Sequence, residues 1–199
     1  MLLSDLILRL YDIEAITFNE FILKKGVKSP FNIDLRLIQS YPLLLKAISE
    51  AMWKRIQFID FEVLCGIPFN AVPFATTISA FHNIPMITKR KTNKNQGKCE
   101  IEGFYKPGQR CIVVDDLITT GLNVIETTEV LKYEGLIIKD LVVLIDCEQG
   151  GRQALEERKI NLHSLFSIND ILNVLEENQV LTKEQAFRAR DFSRDLNLI

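Results

Sequence analysis

The chain has 199 residues, 47% of them hydrophobic and 25% charged, and its formal net charge is −2. This length and hydrophobic content are sufficient for one globular domain with a sizeable core. The small net charge gives no basic field that would attract nucleic acid, and no apolar run is long enough to cross a membrane. The four cysteines lack CxxC spacing, which disfavours a zinc site and predicts a protein of the reduced cytoplasm.

The first fifty residues predict small elements followed by one longer helix. Residues 4–11 have the pattern of a short helix, and residues 18–23 and 31–35 are predicted strands on either side of a turn. Ser40 is a predicted N-cap and Pro42 suits a first helical turn, so a helix is expected from there to about residue 53.

From residue 60 onward, short apolar runs alternate with helical segments. The predicted strands are residues 63–65, 85–88, 111–114, 141–145 and 161–165, of which 63–65, 111–114 and 141–145 are wholly apolar. The helical segments between them are residues 71–81, 121–134 and 152–158. Apolar runs without period-two alternation are typical of strands covered on both faces, so we predict an α/β fold with a central, mostly parallel sheet flanked by helices. Capping boxes at Ser167 with Asp170 and at Thr182 with Gln185 predict two closing helices.

Residues 89–103 interrupt the alternation. Their sequence, KRKTNKNQGKCEIEG, is polar and basic and contains two glycines. Connections of this length without regular structure are usually either functional or disordered. We therefore predict that these residues form a mobile lid.

Residues 111–121, CIVVDDLITTG, form the strongest candidate site and are predicted to be a strand, a loop and the start of a helix. Asp115 and Asp116 follow the apolar run, where ligands of parallel sheets bind, and adjacent carboxylates suit sugar hydroxyls or a hydrated divalent cation. Residues 119–121 would present hydroxyls and backbone N–H groups to a phosphate at the helix N-terminus. The alternative is an Asp-Asp turn that only caps the helix.

Four cations outside this segment suit a phosphorylated ligand with a leaving diphosphate. They are Lys24, Arg90, Lys91 and Lys94, of which the last three lie in the predicted lid. A lid that brings positive charge to the site can also open to release products. For any one lysine a solvated loop position is the commoner fate, but the joint presence of these cations with the adjacent carboxylates favours a phosphate-binding role.

Five blocks of the sequence, in this order, resemble the type I phosphoribosyltransferases, and specifically the orotate phosphoribosyltransferase family that includes the N-terminal domain of uridine monophosphate synthases. The blocks are FILKKGVKSPFNIDLR (residues 21–36), CGIPFNAVPFAT (65–76), PMITKRKTNK (85–94), VVDDLITTG (113–121) and LIDCEQGG (144–151). The resemblance covers nearly the whole chain. It implies a single domain, residues 1–199, with the type I phosphoribosyltransferase fold. Residues 1–40 would contribute a small hood, residues 89–103 the lid and residues 166–199 the C-terminal helices.

The resemblance also implies a reaction. Phosphoribosyl diphosphate (PRPP) and Mg²⁺ bind, a nitrogen of orotate attacks C1 of the ribose, and pyrophosphate leaves, which gives orotidine 5-phosphate for pyrimidine synthesis. The implied catalytic residues are Lys94, Asp115 and Asp116, with Mg²⁺ held near the two carboxylates through PRPP and water rather than by direct ligands. The partners implied are these substrates and a second copy of the chain, because the lid of such homodimers serves the neighbouring subunit.

Two sets of binding residues follow from the resemblance. The implied PRPP-binding residues are Lys24, Phe69, Asn70, Arg90, Lys91, Lys94, Gln96, Asp115, Asp116, Leu117, Ile118, Thr119, Thr120, Gly121, Leu122 and Asn123. The implied base-binding residues are Asn32, Ile33, Thr119 and Cys147.

The sequence departs from the family pattern mainly in the base-binding half. Family members usually have an arginine at Cys147, which pairs with the orotate carboxylate, and an aromatic residue at Asn32, which stacks on the base. Many bacterial members also have lysine at Asn70 and Asp-His at residues 95–96. A neutral cysteine cannot form a charge-assisted fork with a carboxylate. Three alternatives follow: Arg152 or another cation takes over, the base is a different one, or the protein is a PRPP-binding regulator with little catalysis.

Overall fold

Paired short strands between two helices make up the N-terminal region of the computed structural model, which describes residues 2–22, 28–90 and 101–195. In chain order the elements are α1 (Leu3–Asp12), β1 (Ile16–Thr17), β2 (Phe21–Ile22), β3 (Lys28–Ser29), β4 (Asn32–Ile33), a 3₁₀ helix (Leu35–Ser40) and α2 (Pro42–Ile56). Strand β2 pairs with β3 and β1 pairs with β4, both antiparallel. These nested pairs lie among the residues predicted to form the hood.

The strands of this region are shorter than the predicted segments 18–23 and 31–35. The second segment ends early because a 3₁₀ helix begins at Leu35. The Asp34 side chain starts that helix by accepting a hydrogen bond from the backbone N–H of Arg36 (3.2 Å). A local bond of this kind competes with strand pairing.

Helix α2 begins at Pro42, as predicted, because the first turn of a helix does not need the N–H that proline lacks. Its N-cap is Tyr41, without a side-chain capping bond, so the prediction of Ser40 as the cap is wrong. Ser40 still belongs to the preceding 3₁₀ helix. The helix continues to Ile56, a little beyond the predicted end.

Six strands form the central sheet, which confirms the predicted α/β fold. They are β5 (Val63–Gly66), β6 (Met86–Lys89), β7 (Ile101–Glu102), β8 (Arg110–Ile118), β9 (Ile137–Asp146) and β10 (Asn161–Ser167). Their order across the sheet is β10-β9-β8-β5-β6-β7, and every neighbouring pair is parallel except β6 with β7. The carboxyl ends of β5, β8, β9 and β10 therefore meet at one edge of the sheet.

Strand β8 is longer than predicted, and its length changes the position of the two carboxylates. The apolar run ends at Val114, but pairing with β9 continues to the pair Ile118 and Asp146. Asp115 and Asp116 thus lie within the strand instead of following it. The strand continues because β9 itself extends to Asp146, so the ladder hydrogen bonds outweigh the low strand preference of aspartate.

Within the described residues, five further helices follow α2 in the chain. They are α3 (Val72–His82), α4 (Leu122–Tyr133), α5 (Gly151–Glu156), α6 (Ile168–Glu177) and α7 (Lys183–Asp195). Both predicted capping boxes are confirmed. The N–H of Asp170 donates to Ser167 Oγ at 3.0 Å, and the N–H of Gln185 donates to Thr182 Oγ1 at 3.2 Å. In each case the reciprocal bond to the cap residue's N–H is also present.

The apolar residues of β8 alternate between two hydrophobic clusters. Ile112 and Val114 belong to the cluster that includes residues of α2 and α6, whereas Cys111 and Val113 belong to the cluster that includes residues of α4. Burial of both sets accounts for the unbroken apolar run in the sequence. Within residues 2–22, 28–90 and 101–195, no helix has the length and apolar character needed to span a membrane.

Candidate active site

A cavity of about 410 Å³ lies at the carboxyl end of β8, and we call it the sugar cavity. It is lined by Pro68, Asn70, Asp115, Asp116, Leu117, Ile118, Thr119, Thr120, Gly121, Leu122, Asn123 and Val124. Ligands of parallel α/β sheets bind at this edge. The structure thus brings Asn70, from the loop after β5, together with the whole predicted run of residues 115–123.

The two carboxylates of the sugar cavity are adjacent and buried, with Asp115 5% and Asp116 7% exposed. The backbone N–H of Asp116 donates to Oδ1 of Asp115 (2.9 Å), and Nδ2 of Asn70 donates to Oδ2 of Asp116 (3.0 Å). Burial, and secondly the Asp116 carboxylate, raise the pKa of Asp115 well above its usual range. Hydroxyl donors or a cation at this pair would relieve the cost of burying it.

A turn with exposed polar groups connects β8 to α4. Thr119 and Thr120 are exposed, and Gly121 is the N-cap of α4 with φ of 80°. This left-handed conformation favours glycine. The first N–H groups of the twelve-residue helix α4 have no partner within the helix, so they and the threonine hydroxyls can bind an anion.

Gly151, the first residue of α5, packs closely against the backbone of this turn. A Cβ on Gly151 would overlap the carbonyl oxygen of Thr119 and would lie 2.6 Å from Cγ1 of Ile118. The reverse approach is also close, since a Cβ on Gly121 would lie 3.4 Å from the Cα of Gly151. The sequence analysis assigned no role to Gly151. The adjacent glycines Gly150 and Gly151 at the start of α5 could have indicated this contact, because glycine permits close approach of the backbone.

A second cavity, of about 180 Å³, contains all the predicted base-binding residues, and we call it the base cavity. Its lining residues are Ser29, Phe31, Asn32, Ile33, Leu117, Thr119, Cys147, Gln149 and Phe192. Leu117 and Thr119 line both cavities, so the base cavity adjoins the sugar cavity.

Cys147 is a buried, neutral group at the base cavity. Its backbone N–H donates to the carbonyl oxygen of Ile118 (2.9 Å), and its side chain is almost fully buried. Burial, followed by the carboxylates of Asp146, Asp116 and Glu148, raises the pKa of the Cys147 thiol to about 12. The thiol therefore carries no charge near neutral pH.

Two aromatic side chains, Phe31 and Phe192, line the base cavity, and we call them the aromatic wall. The rings of Phe31 and Phe192 meet edge to face, with centroids 5.9 Å apart, and Phe18 packs beside Phe31 at 6.2 Å. The sequence analysis did not identify Phe31, Phe192 or Gln149 as lining residues. Phe192 lies on α7 and is half-buried, and the surface it contacts depends on how α7 docks, which local sequence does not reveal.

Other predicted site residues lie outside both cavities or outside the described parts of the chain. Phe69 is largely exposed, and Nε of Arg90 lies 3.8 Å from Oε1 of Glu102; neither Phe69 nor Arg90 is among the described lining residues. The guanidinium of Arg152 donates to Oδ2 of Asp146 (3.0 Å) and likewise does not line the base cavity as described. The predicted residues that fall outside the described parts of the chain are Lys24, Lys91, Lys94 and Gln96.

Comparison with known protein families gives one match that covers most of the chain. Residues 36–179 match the family described as "Phosphoribosyl transferase domain". The match includes every residue that lines the sugar cavity. Asn32, Ile33 and Phe192 of the base cavity lie outside it.

Three proteins are similar to most of this chain. Uridine 5'-monophosphate synthase of Bos taurus is 41% identical over 98% of this chain, and the chain spans 41% of its length. Orotate phosphoribosyltransferase of Chlamydia caviae is 36% identical, with 92% of this chain and 91% of that protein covered. The structure of Leishmania donovani UMP synthase superimposes with a TM-score of 0.87 at 30% identity, over 96% of this chain and 42% of that one.

Proposed function

The chain belongs to the orotate phosphoribosyltransferases of the phosphoribosyltransferase family, and from this membership we propose that it transfers the phosphoribosyl group of PRPP to orotate. The products would be orotidine 5-phosphate and pyrophosphate, in a step of pyrimidine biosynthesis. Because the chain spans less than half of the bovine relative but nearly all of the chlamydial one, the proposal concerns this transfer reaction alone.

The observation that carries this proposal is the arrangement of the two adjoining cavities. The sugar cavity has an anion-binding turn at one end and the buried pair Asp115 and Asp116 beside it. The base cavity meets it at Leu117 and Thr119. A ribose 5-phosphate bound to the turn and the carboxylates would therefore present its C1 toward a base in the second cavity.

In the proposed step, a ring nitrogen of orotate forms a bond to C1 of the ribose. The bond from C1 to the diphosphate oxygen breaks, its electron pair leaves with pyrophosphate, and the nitrogen's proton passes to solvent. Positive charge develops on the ribose during this exchange, and we propose that the carboxylates of Asp115 and Asp116 stabilise it. The turn at residues 119–121 would fix the phosphate and thereby orient C1 for attack.

We propose that Mg²⁺ takes part as a cofactor that enters with PRPP. The buried oxygen ligands of Asp115 and Asp116 fit the preference of Mg²⁺ for carboxylates, and this cation usually keeps several waters and binds substrate phosphates. Within the described residues, no group of three or more potential ligands could hold a metal ion by itself. The bound cation would supply positive charge for the leaving diphosphate.

The proposal extends to a cytoplasmic homodimer in which each lid serves the site of the neighbouring subunit. Strands β6 and β7 pair antiparallel at the two ends of the predicted lid, residues 89–103. This pairing would anchor the lid while its interior, with Lys91 and Lys94, reaches a diphosphate. Closed point-group symmetry is the usual form of such assemblies.

The test uses the purified protein with PRPP, Mg²⁺ and orotate, and follows the loss of orotate absorbance together with pyrophosphate release. Both signals are expected to change in equal amounts. Absence of any change over hours, with PRPP binding intact by calorimetry, would contradict the proposed transfer. The double variant Asp115→Asn, Asp116→Asn is the matched control and should lose PRPP binding, because its sugar cavity keeps its shape without its charge.

A further inference from the structure

The described side chains that line the base cavity are uncharged, whereas the sugar cavity contains two carboxylates. Among its described lining residues there is no lysine, arginine or histidine. The polar side chains that line it are those of Ser29, Asn32, Thr119, Cys147 and Gln149, all uncharged in character. The Ser29 hydroxyl already donates to the carbonyl oxygen of Phe31 at 2.6 Å.

Among the described residues, the charges that shift the pKa of the Cys147 thiol are negative. The pKa of the Cys147 thiol is raised in part by three carboxylates, those of Asp146, Asp116 and Glu148. Their charge makes a further negative charge at this position unfavourable. The guanidinium of Arg152 is engaged with Asp146 at 3.0 Å and with the carbonyl oxygen of Leu162 at 3.3 Å. A carboxylate placed against Cys147 would therefore meet repulsion without a described counter-ion to offset it.

The same cavity is well suited to the ring of an uncharged pyrimidine. Its volume of about 180 Å³ holds one such ring, and Phe31, Ile33 and Phe192 give it apolar walls. The half-buried amides of Asn32 and Gln149 each provide a donor and an acceptor. The alternating C=O and N–H groups along the edge of a pyrimidine can pair with amides of this kind.

We propose that the base cavity recognises the edge and faces of the pyrimidine ring rather than a carboxylate on it, so that this chain also transfers phosphoribosyl to uncharged pyrimidines such as uracil. The inference rests on the proposed transfer function and concerns the choice of acceptor. The bonds made and broken are those given above for orotate, with a ring nitrogen of uracil as the nucleophile, and no further reactant is needed.

The experiment compares kcat/KM for orotate and for uracil at saturating PRPP and Mg²⁺, with pyrophosphate release as the readout. The expected preference for orotate is at most about tenfold, because no charge-assisted contact adds to the hydrogen bonds that both bases can make. A larger preference for orotate would overturn the inference while leaving the transfer function intact. Bound PRPP without pyrophosphate release from either base would instead overturn the transfer function, and the inference with it.

Two variants test the electrostatic reason directly. Gln149→Lys places a cation at the half-buried rim of the cavity, and its preference for orotate over uracil should rise by at least about tenfold. Gln149→Met, of similar length and no charge, is the matched control and should not raise it. Cys147→Arg should act in the same direction as Gln149→Lys, and the rim variant remains informative if the buried arginine prevents folding. An unchanged preference in Gln149→Lys would overturn the inference.

Discussion

At the scale of single residues, the carboxylates of Asp115 and Asp116 favour ligand binding but lower the stability of the folded chain. Both side chains are buried within a strand. Oδ1 of Asp115 accepts from the backbone N–H of Asp116 at 2.9 Å, and Oδ2 of Asp116 accepts from Asn70 at 3.0 Å. Burial and the neighbouring carboxylate raise the pKa of Asp115, so its charged form is disfavoured in the folded chain without ligand. A ligand that donates hydroxyl groups or brings a cation reverses that disadvantage.

The variant Asp115→Asn is therefore expected to unfold less readily than the wild type at pH 7, although it binds PRPP more weakly. An acid whose pKa rises on folding favours the folded state below its ordinary value, 3.8 here, and this contribution is lost as the pH rises through the folded-state pKa. The advantage of the variant should thus shrink as the pH falls from 7 toward 4. Urea unfolding at several pH values measures it.

The control for this series is Asp12→Asn, because the Asp12 carboxylate is exposed and lies 4.0 Å from Arg9. Its free energy of unfolding should stay within about 0.5 kcal/mol of the wild type, as is usual for exposed pairs. A stability difference for Asp115→Asn that stays constant between pH 4 and 7 would contradict the assignment of a raised pKa.

Gly151→Ala is expected to weaken PRPP binding although Gly151 does not line the sugar cavity. The added methyl group would overlap the Thr119 carbonyl oxygen and displace the anion-binding turn. We expect KM for PRPP to rise at least about tenfold, because small displacements of positioning groups are costly. Gly108→Ala is the control. A Cβ at Gly108 has open space, and although its φ of 91° strains an alanine and lowers stability, the substitution should leave KM for PRPP unchanged. Equal effects of the two substitutions on that KM would argue against a positioning role.

At the scale of elements, the sequence predicts most of the sheet but misplaces features that depend on pairing. The apolar runs of β5, β8 and β9 identify these strands because both faces of the sheet are buried there. The extension of β8 through Asp115 and Asp116 comes from its long partner β9, which local preferences do not reveal. By contrast, the grouping of residues 115–123 at one cavity could be predicted from their order in the chain. The aromatic wall of the base cavity depends on the docking of α7 and could not.

Helix α7 therefore makes a testable contribution to the base cavity. Removing the ring in Phe192→Ala takes away the edge-to-face contact with Phe31 and opens the cavity wall. KM for the base should rise about tenfold, because the base would lose its own contact with the ring, and an aromatic contact is worth about 0.5–1.5 kcal/mol. The affinity for PRPP, measured by calorimetry, should change little. Phe187→Ala on the same helix, at an exposed position, is the control, and a matching effect there would show that α7 acts only through stability.

At the scale of the whole molecule, donor and acceptor subsites come from different parts of the chain. The sugar cavity is built by the loop after β5, the end of β8, the turn that follows it and the start of α4. All of these lie within residues 36–179, which match the family domain. The base cavity adds residues of β3 and β4 and of helix α7, from outside that range. The sheet edge brings both together, with Leu117 and Thr119 as the shared boundary.

The proposed sharing of lids between subunits predicts complementation. Lys94→Ala removes a lid cation, and the double variant Asp115→Asn, Asp116→Asn removes the carboxylates, so each protein alone should be inactive. After mixing under conditions that exchange subunits, about a quarter of the wild-type activity should appear, because half of the dimers would be mixed and each would hold one intact site. Pyrophosphate release measures it. No recovery despite exchange, verified with tagged subunits, would place the lid over its own subunit's site.

The position of the aromatic wall also bears on how acceptor choice can change during evolution. Phe31 and Phe192 are far apart in the sequence from the turn that is proposed to bind PRPP. Substitutions at these two positions would therefore change the base cavity without altering that turn. Substitutions that accumulate in residues 28–33 and 183–195 would thus change which base is accepted while the proposed PRPP site stays the same. Grafting residues 28–33 and 183–195 from a relative onto this chain is the corresponding route for redesign.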